Sequence, residues 1–307
     1  MTPTETNRSR GSANYDYVVA RVRARRAKLF DDDDYRKLMR MGTSGIARFM
    51  EETEYQREMN ELGSRESGVD LVEYALNRNF AKHCEDLLRW SEGQLYDYIA
   101  RYLRKFDAWN VKTVLRGINS GADRGAVEAD LIRAGEFDDD QIDQLLAAES
   151  VEAVVDALEN TIFEDELAAA LEDYEETGTL VPLENAADRA FFETLLEGLP
   201  DPNRVQSESA VGLYLEFLRA EIDFRNLRNA VRIAHSGADL DPSEYYIRGG
   251  GLFDSDELRQ LAGNTDQIVD HVRESAYGED LEAAIEALTE AENLIEFSNA
   301  SVAALRE

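Results

Sequence analysis

Cysteine is almost missing from this chain of 307 residues: Cys84 stands alone. A single thiol excludes an intrachain disulfide and a thiolate metal site, and leaves a buried, inert side chain as the expectation. Histidine is nearly as scarce. His83, His235 and His271 lie in separate stretches, with no His-x-x-x-His, Glu-x-x-His or Cys-x-x-Cys spacing among them, which removes the usual patterns for zinc and di-iron binding. No apolar run approaches the roughly 20 residues of a membrane-spanning helix, and no apolar signal region follows the N-terminus. The expectation is an intracellular chain, soluble by itself, whose membrane association is indirect. Basic residues are few, with 33 Lys and Arg against 64 Asp and Glu and a formal net charge of −31. A surface of that sign repels phosphates and anionic headgroups, which excludes nucleic-acid binding through a general basic field.

Signatures of catalysis are missing too. Gly249-Gly250-Gly251 follows no strand and lacks the Lys-Ser/Thr of a phosphate loop, so the triplet reads as a flexible joint. Nothing resembles a nucleophile elbow. The Asp runs after Phe30 and Phe137 lack the alternating ligand spacing and closing Glu of a calcium loop; acidic residues in a helix's first turn meet its dipole favourably instead. So acidic a surface supplies carboxylate pairs by chance, and none is read as an acid/base pair. No catalytic residue, metal or cofactor is expected.

What is present is a helical repeat. Hydrophobic residues make up 43% of the chain and recur at helical spacing, so the acid must coat a folded surface, read here as adaptation to a halophile's cytoplasm. No sustained strand alternation appears. The stretch Tyr98–Arg116 (YIARYLRKFDAWNVKTVLR) returns as Tyr214–Arg232 (YLEFLRAEIDFRNLRNAVR), pairing Tyr98 with Tyr214, Asp107 with Asp223, Asn110 with Asn226 and Arg116 with Arg232. Upstream, a Phe-Asp pair opens a short helix three times, at Phe30, Phe137 and Phe253. A leucine follows eight residues after each Phe (Leu38, Leu145, Leu261), then a hydroxyl residue (Thr43, Ser150, Thr265) expected to cap the next helix. Amphipathic helices are expected from Val72, Leu183 and Leu281. Repeats outrank local motifs as evidence of architecture. They divide the chain into a tail at 1–13, expected to be disordered, a first helical lobe at 14–125, a second at 126–240 and a third at 241–307.

Two sets of residues stand out within these lobes. Asp107 and Asn110, with their repeats Asp223 and Asn226, share one face of the closing helix; they read either as buried hydrogen bonding inside a lobe or as contacts between lobes or with a partner. Arg116, and by analogy Arg232, lies on the far side of that helix, too far round to bridge Asp107. Charge is also polarised: residues 1–50 hold 11 basic and 6 acidic side chains, leaving 22 and 58 for the rest. In that basic segment Arg21, Arg25 and Lys28 follow at spacings of four and three. They are the candidate partner interface, the other reading being internal neutralisation of Asp31–Asp34 or acids nearby.

In its order of segments, with YDYVVARVRARRAKL, LMRMGTSGIARFMEETEY, FDAWNVKTVLRG and IDFRNLRNAVRIA, the sequence from 14 to 307 resembles the C-subunit family of archaeal A-type ATP synthases, related to the d subunit of V-type ATPases. The resemblance implies an all-α funnel of three similar lobes. It also implies a non-catalytic role in the central stalk, coupling the rotor stalk to the membrane proteolipid ring at the cytoplasmic face of the membrane. Central-stalk subunits and the ring would be its partners, with the stalk or the ring's polar loops facing Arg21 and Arg25. Family chains continue into a third closing helix, so the third lobe is expected to be incomplete at the C-terminus. The competing reading is a freestanding helical-repeat scaffold with a peptide groove, although units of about 107 to 116 residues exceed the 20 to 50 of common solenoids.

Overall fold

The computed structural model describes residues 12–236, 242–261, 265–275 and 277–278. Every regular element among them is helical and none is a strand. By its internal contacts the chain falls into two compact units, 1–160 and 161–307.

The first unit opens with α1 (Tyr15–Arg26), whose inner stripe of Tyr15, Val18 and Val22 follows from helical spacing and buries Val18. Asn14 anchors it. Its carboxamide donates to the Trp90 carbonyl at 2.8 Å and accepts from the Glu92 amide at 3.1 Å, so it ties the start of the helix to a distant turn rather than capping its own helix. Then come α2 (Asp32–Leu38), α3 (Thr43–Met50), α4 (Gln56–Leu62), α5 (Gly68–Trp90), α6 (Gln94–Leu103), α7 (Lys105–Ser120), α8 (Arg124–Ala129), α9 (Asp139–Ala147) and α10 (Val151–Asp156).

The Phe-Asp pairs do what first-turn acids are expected to do. Asp31 accepts from the Asp34 amide in a reciprocal capping box, and Asp138 accepts from the Gln141 amide. Such caps contribute about 1 kcal/mol each. Ser150 caps α10 as expected, through the Ala153 amide. Thr43 does not cap α3: Gly42 occupies the cap position in extended backbone, no side chain caps there, and Thr43 is already the first helical residue. Around Phe30, the rings of Phe49 and Tyr55 lie 5.5 and 5.4 Å away, on a core of Met50, Met59, Leu62, Leu71 and Ala75. A second core joins Cys84, Leu103, Phe106 and Ala134. Burial pushes the Cys84 thiol up to about 11, so it stays protonated and inert, in line with the sequence.

The second unit contains α11 (Glu164–Thr177), α12 (Val181–Leu196), the long α13 (Ala210–Ser236), α14 (Ser255–Leu261) and α15 (Thr265–Glu274), with single 3-10 turns at Pro202–Arg204 and Pro242–Tyr245. Gly178 ends α11 in the left-handed region, at φ 67°, and Pro182 stands in the first turn of α12, a stop and a start that each residue suits. Asp254 opens the third Phe-Asp helix by accepting from the Asp256 and Glu257 amides.

The order of elements repeats. After each of the first two Phe-Asp pairs come two short helices, a further helix, an amphipathic helix and a closing helix: α2 to α7 in the first copy, α9 to α13 in the second. The closing helix expected as one piece from Tyr98 is α6 plus α7, separated at Arg104 by bonding between residues three apart; its counterpart α13 runs unbroken. Among the third copy's elements, α14 and α15 are described, whereas the helix expected from Leu281 lies outside the described residues, as does the side chain of Thr265.

Candidate functional site

Helix α7 carries Asp107 and Asn110 to the chain that follows it. Asp107, only 2% exposed, accepts the amides of Glu136 at 2.7 Å and Phe137 at 3.1 Å. One turn along, Asn110 makes a two-way bond with one residue: its Nδ2 donates to the Ile132 carbonyl and its Oδ1 accepts the Ile132 amide, both at 2.9 Å. The second copy repeats the arrangement. Asp223 Oδ1 accepts the amides of Gly251 at 2.8 Å and Leu252 at 2.9 Å, and Asn226 holds both backbone groups of Ile247 at 2.8 and 2.9 Å.

Both clamps need a glycine. A Cβ on Gly135 would stand 2.0 Å from the Asp107 carboxylate, and one on Gly250 would stand 2.1 Å from that of Asp223, so only a bare backbone allows the approach. Gly249–Gly251, expected as a flexible joint, is therefore a turn bound to a carboxylate. Burial lifts the Asp107 carboxyl to about 7 against the two amide bonds that lower it, and burial likewise raises Asp223. The Tyr277 hydroxyl adds a third donor to Asp223, at 3.1 Å. Each clamp lies inside one compact unit, the first from Asp107 to Phe137 within 1–160 and the second from Asp223 to Leu252 within 161–307. Arg116 is exposed on the far side of α7, as its spacing requires; the side chain of Arg232 lies outside the described residues.

The basic stripe of α1 is engaged within the first unit. Arg25 donates to Asp86 at 2.7 Å and meets His83 Nδ1 at 3.0 Å, while Arg89 binds the other oxygen of the same buried Asp86. Burial and then the Arg25 charge lower the His83 imidazole below its ordinary value, which keeps it neutral and able to accept from the guanidinium. Lys28 pairs with Glu54 at 2.8 Å, and that bond holds the Glu54 carboxyl below its usual range. Arg21 lies over the rings of Tyr17 and Trp90, at 4.7 and 4.9 Å, with its side chain exposed. Of the acids expected as neutralising partners, Asp33 and Asp34 pair with Arg36 and Lys37 instead. Thus Arg25 ties α1 to α5 and Lys28 pairs just past the end of α1, while the side chains of Arg21 and Lys28 are both exposed.

Among the described residues no cluster of three metal-ligating side chains occurs. His271 binds the Leu252 carbonyl at 2.8 Å and stacks on Phe253; His235 has its side chain outside the described residues. Sequence reasoning missed Gly135, Ile132 and Ile247, and read Gly250 only as part of a flexible joint. The signal was there: Ile132-Arg-Ala-Gly-Glu-Phe-Asp returns as Ile247-Arg-Gly-Gly-Gly-Leu-Phe-Asp.

Comparison with known proteins adds a family. A family model described as the ATP synthase (C/AC39) subunit matches residues 18–306. The chain is 61% identical over 297 residues to the A-type ATP synthase C subunit of Haloferax volcanii, covering 97% of this chain and 84% of the relative. It is 54% identical to that of Halobacterium salinarum over 290 residues, 94% of this chain and 82% of the relative. With the protein of the same name from Methanosarcina mazei it shares 33% identity over 281 residues, 91% of this chain and 75% of the relative.

Proposed function

The chain belongs to the ATP synthase (C/AC39) subunit family, and from that premise we propose that it is a non-catalytic central-stalk component of an A-type ATP synthase, coupling the rotor stalk to the membrane proteolipid ring. The match over residues 18–306 carries this reading. Its physical demands fit the chain: transmitting torque requires rigidity and a shaped surface, which packed helices supply. Two Asp-Asn clamps, each closing on a glycine-bearing turn, stiffen the passage from one repeat to the next.

In this proposal the repeats form three lobes, at 14–125, 126–240 and 241–307. The protein sits at the cytoplasmic face of the membrane and is held there by its partners, the central-stalk subunits and the ring. No helix among the described residues is long and apolar enough to cross a membrane. ATP chemistry and ion passage belong to other subunits. On α1 the exposed Arg21 meets an acidic partner surface, with Arg25 fixing the helix that presents it. The test is affinity purification of the tagged chain from detergent-solubilised membranes. Co-elution with ring and stalk subunits is expected, whereas a lone chain would favour a freestanding scaffold.

A further inference from the structure

Helix α1 is held to the first unit chiefly by polar contacts. Its one buried side chain is Val18, and Asn14 ties its start to Trp90 and Glu92. Toward its end, Lys28 meets Glu54 in an exposed pair, while Arg25 bridges His83 and Asp86 of α5 at 3.0 and 2.7 Å. The indole of Trp90 completes the contact, with the guanidinium groups of Arg21 and Arg25 lying over it at 4.9 and 5.4 Å. Apolar burial holds α1 at Val18 alone, so its second half depends on Arg25 and the groups it touches.

One of those bonds is conditional on a proton. A guanidinium offers only donors, so the bond from Arg25 to His83 requires a lone pair on Nδ1, which means a neutral imidazole protonated at Nε2. A second proton turns Nδ1 into a donor and sets two cations 3.0 Å apart. The charged groups facing His83 are Arg25 of α1, Lys82 of its own helix, Glu54 in the turn before α4 and Glu58 in α4. Both carboxylates already have donors, Glu54 from Lys28 and Glu58 from Asn79 and Lys82. Asp86, the acceptor left to Arg25, is shared with Arg89. Burial, then Arg25 and Lys82, hold the imidazole below its ordinary value of 6.5. A group lowered in the bound state gives its full hold above that ordinary value and loses it as pH falls below.

We infer that Arg25 and His83 form a proton-operated latch: the neutral imidazole holds the second half of α1 against α5, and protonation of His83 releases it and uncovers Trp90. The bistable element is α1 itself, and the proton acts on the bond that fastens it. The latch rests on contacts inside the first unit and is independent of the rotary reading.

The chain has two tryptophans, so Trp109→Phe leaves Trp90 as the sole indole reporter. Lowering the pH of the full W109F chain from about 8 to about 5 should shift Trp90 emission to the red. Over the same range, hydrogen-exchange protection of the Val22 to Arg26 amides, corrected for intrinsic rates, should fall at least about tenfold while that of α7 is kept. His83→Gln retains an acceptor for Arg25 at every pH and should abolish both changes, whereas His83→Lys should show the released state already at neutral pH. Should H83Q fail to fold, the reciprocal effect is read by NMR: in Arg25→Gln the His83 imidazole should titrate closer to 6.5 than in the wild type. Flat Trp90 emission and exchange, the same acid transition in H83Q, or a His83 titration unmoved by R25Q would each overturn the inference. Loss of protection in α7 together with α1 would overturn it in favour of global acid unfolding.

Discussion

Asp107 combines a buried carboxyl raised to about 7 with two backbone donors, and this has a pH consequence. The unfolded carboxyl returns to its ordinary value of 3.8, so between about 4 and 7 the folded state holds more protons than the unfolded one. Its contribution to stability therefore falls as pH rises through that window, by about 4 kcal/mol in all, and is level above and below it. Denaturant unfolding of wild type and Asp107→Asn across pH 4 to 8 isolates this group: wild type should lose stability relative to the variant as pH rises, and a constant difference would contradict the assignment. At Arg25, substitution by Glu leaves buried Asp86 facing a new carboxylate with Arg89 as its remaining cation, so thermal unfolding should show a loss of about 3 kcal/mol. Arg21→Glu, at an exposed cation–π contact worth about 0.5 to 1 kcal/mol, should leave folding nearly unchanged while weakening partner binding.

Elements were legible where their signals are local. The Phe-Asp starts became capped helices because a short acid before an apolar stripe meets free amides whatever the tertiary context. Thr43 failed as a cap because Gly42 takes the extended cap position one residue earlier, a choice that chain geometry makes and composition does not display. The aspartates and asparagines of the closing helices were recognisable from the repeat, but their partners are backbone groups 21 to 30 residues away, and backbone groups leave no signature in side-chain periodicity. Gly135 and Gly250 could have been found only by comparing Ile132-to-Asp138 with Ile247-to-Asp254 across a one-residue insertion. Since both glycines serve one geometry, Gly135→Ala and Gly250→Ala should each destabilise their own unit by about 3 kcal/mol, from overpacking against a carboxylate. Hydrogen exchange of the Phe137 and Leu252 amides reads the two losses separately, and rapid exchange should appear only beside the substituted glycine.

For the whole molecule, charge and family meet. Sixty-four acidic residues against 33 basic ones impose self-repulsion that salt relieves, with a screening length of about 3 Å near 1 M. The chain's relatives include proteins from Haloferax and Halobacterium, and an acid coat of this kind should make folding depend on salt. Raising KCl from about 0.1 M to molar concentration should increase Tm, whereas a Tm indifferent to salt would remove the halophilic explanation of the charge.

The proposed role of coupling two rotor parts is tested most directly by asking whether one part reaches the other without this chain. Detergent-solubilised proteolipid ring is immobilised, and purified stalk subunits are passed over it with and without the full chain. The account predicts that the stalk is retained only when the chain is present, and that Arg21→Glu reduces retention while the protein remains folded. Equal retention of the stalk in its absence, or a folded chain that binds neither the ring nor the stalk, would contradict it.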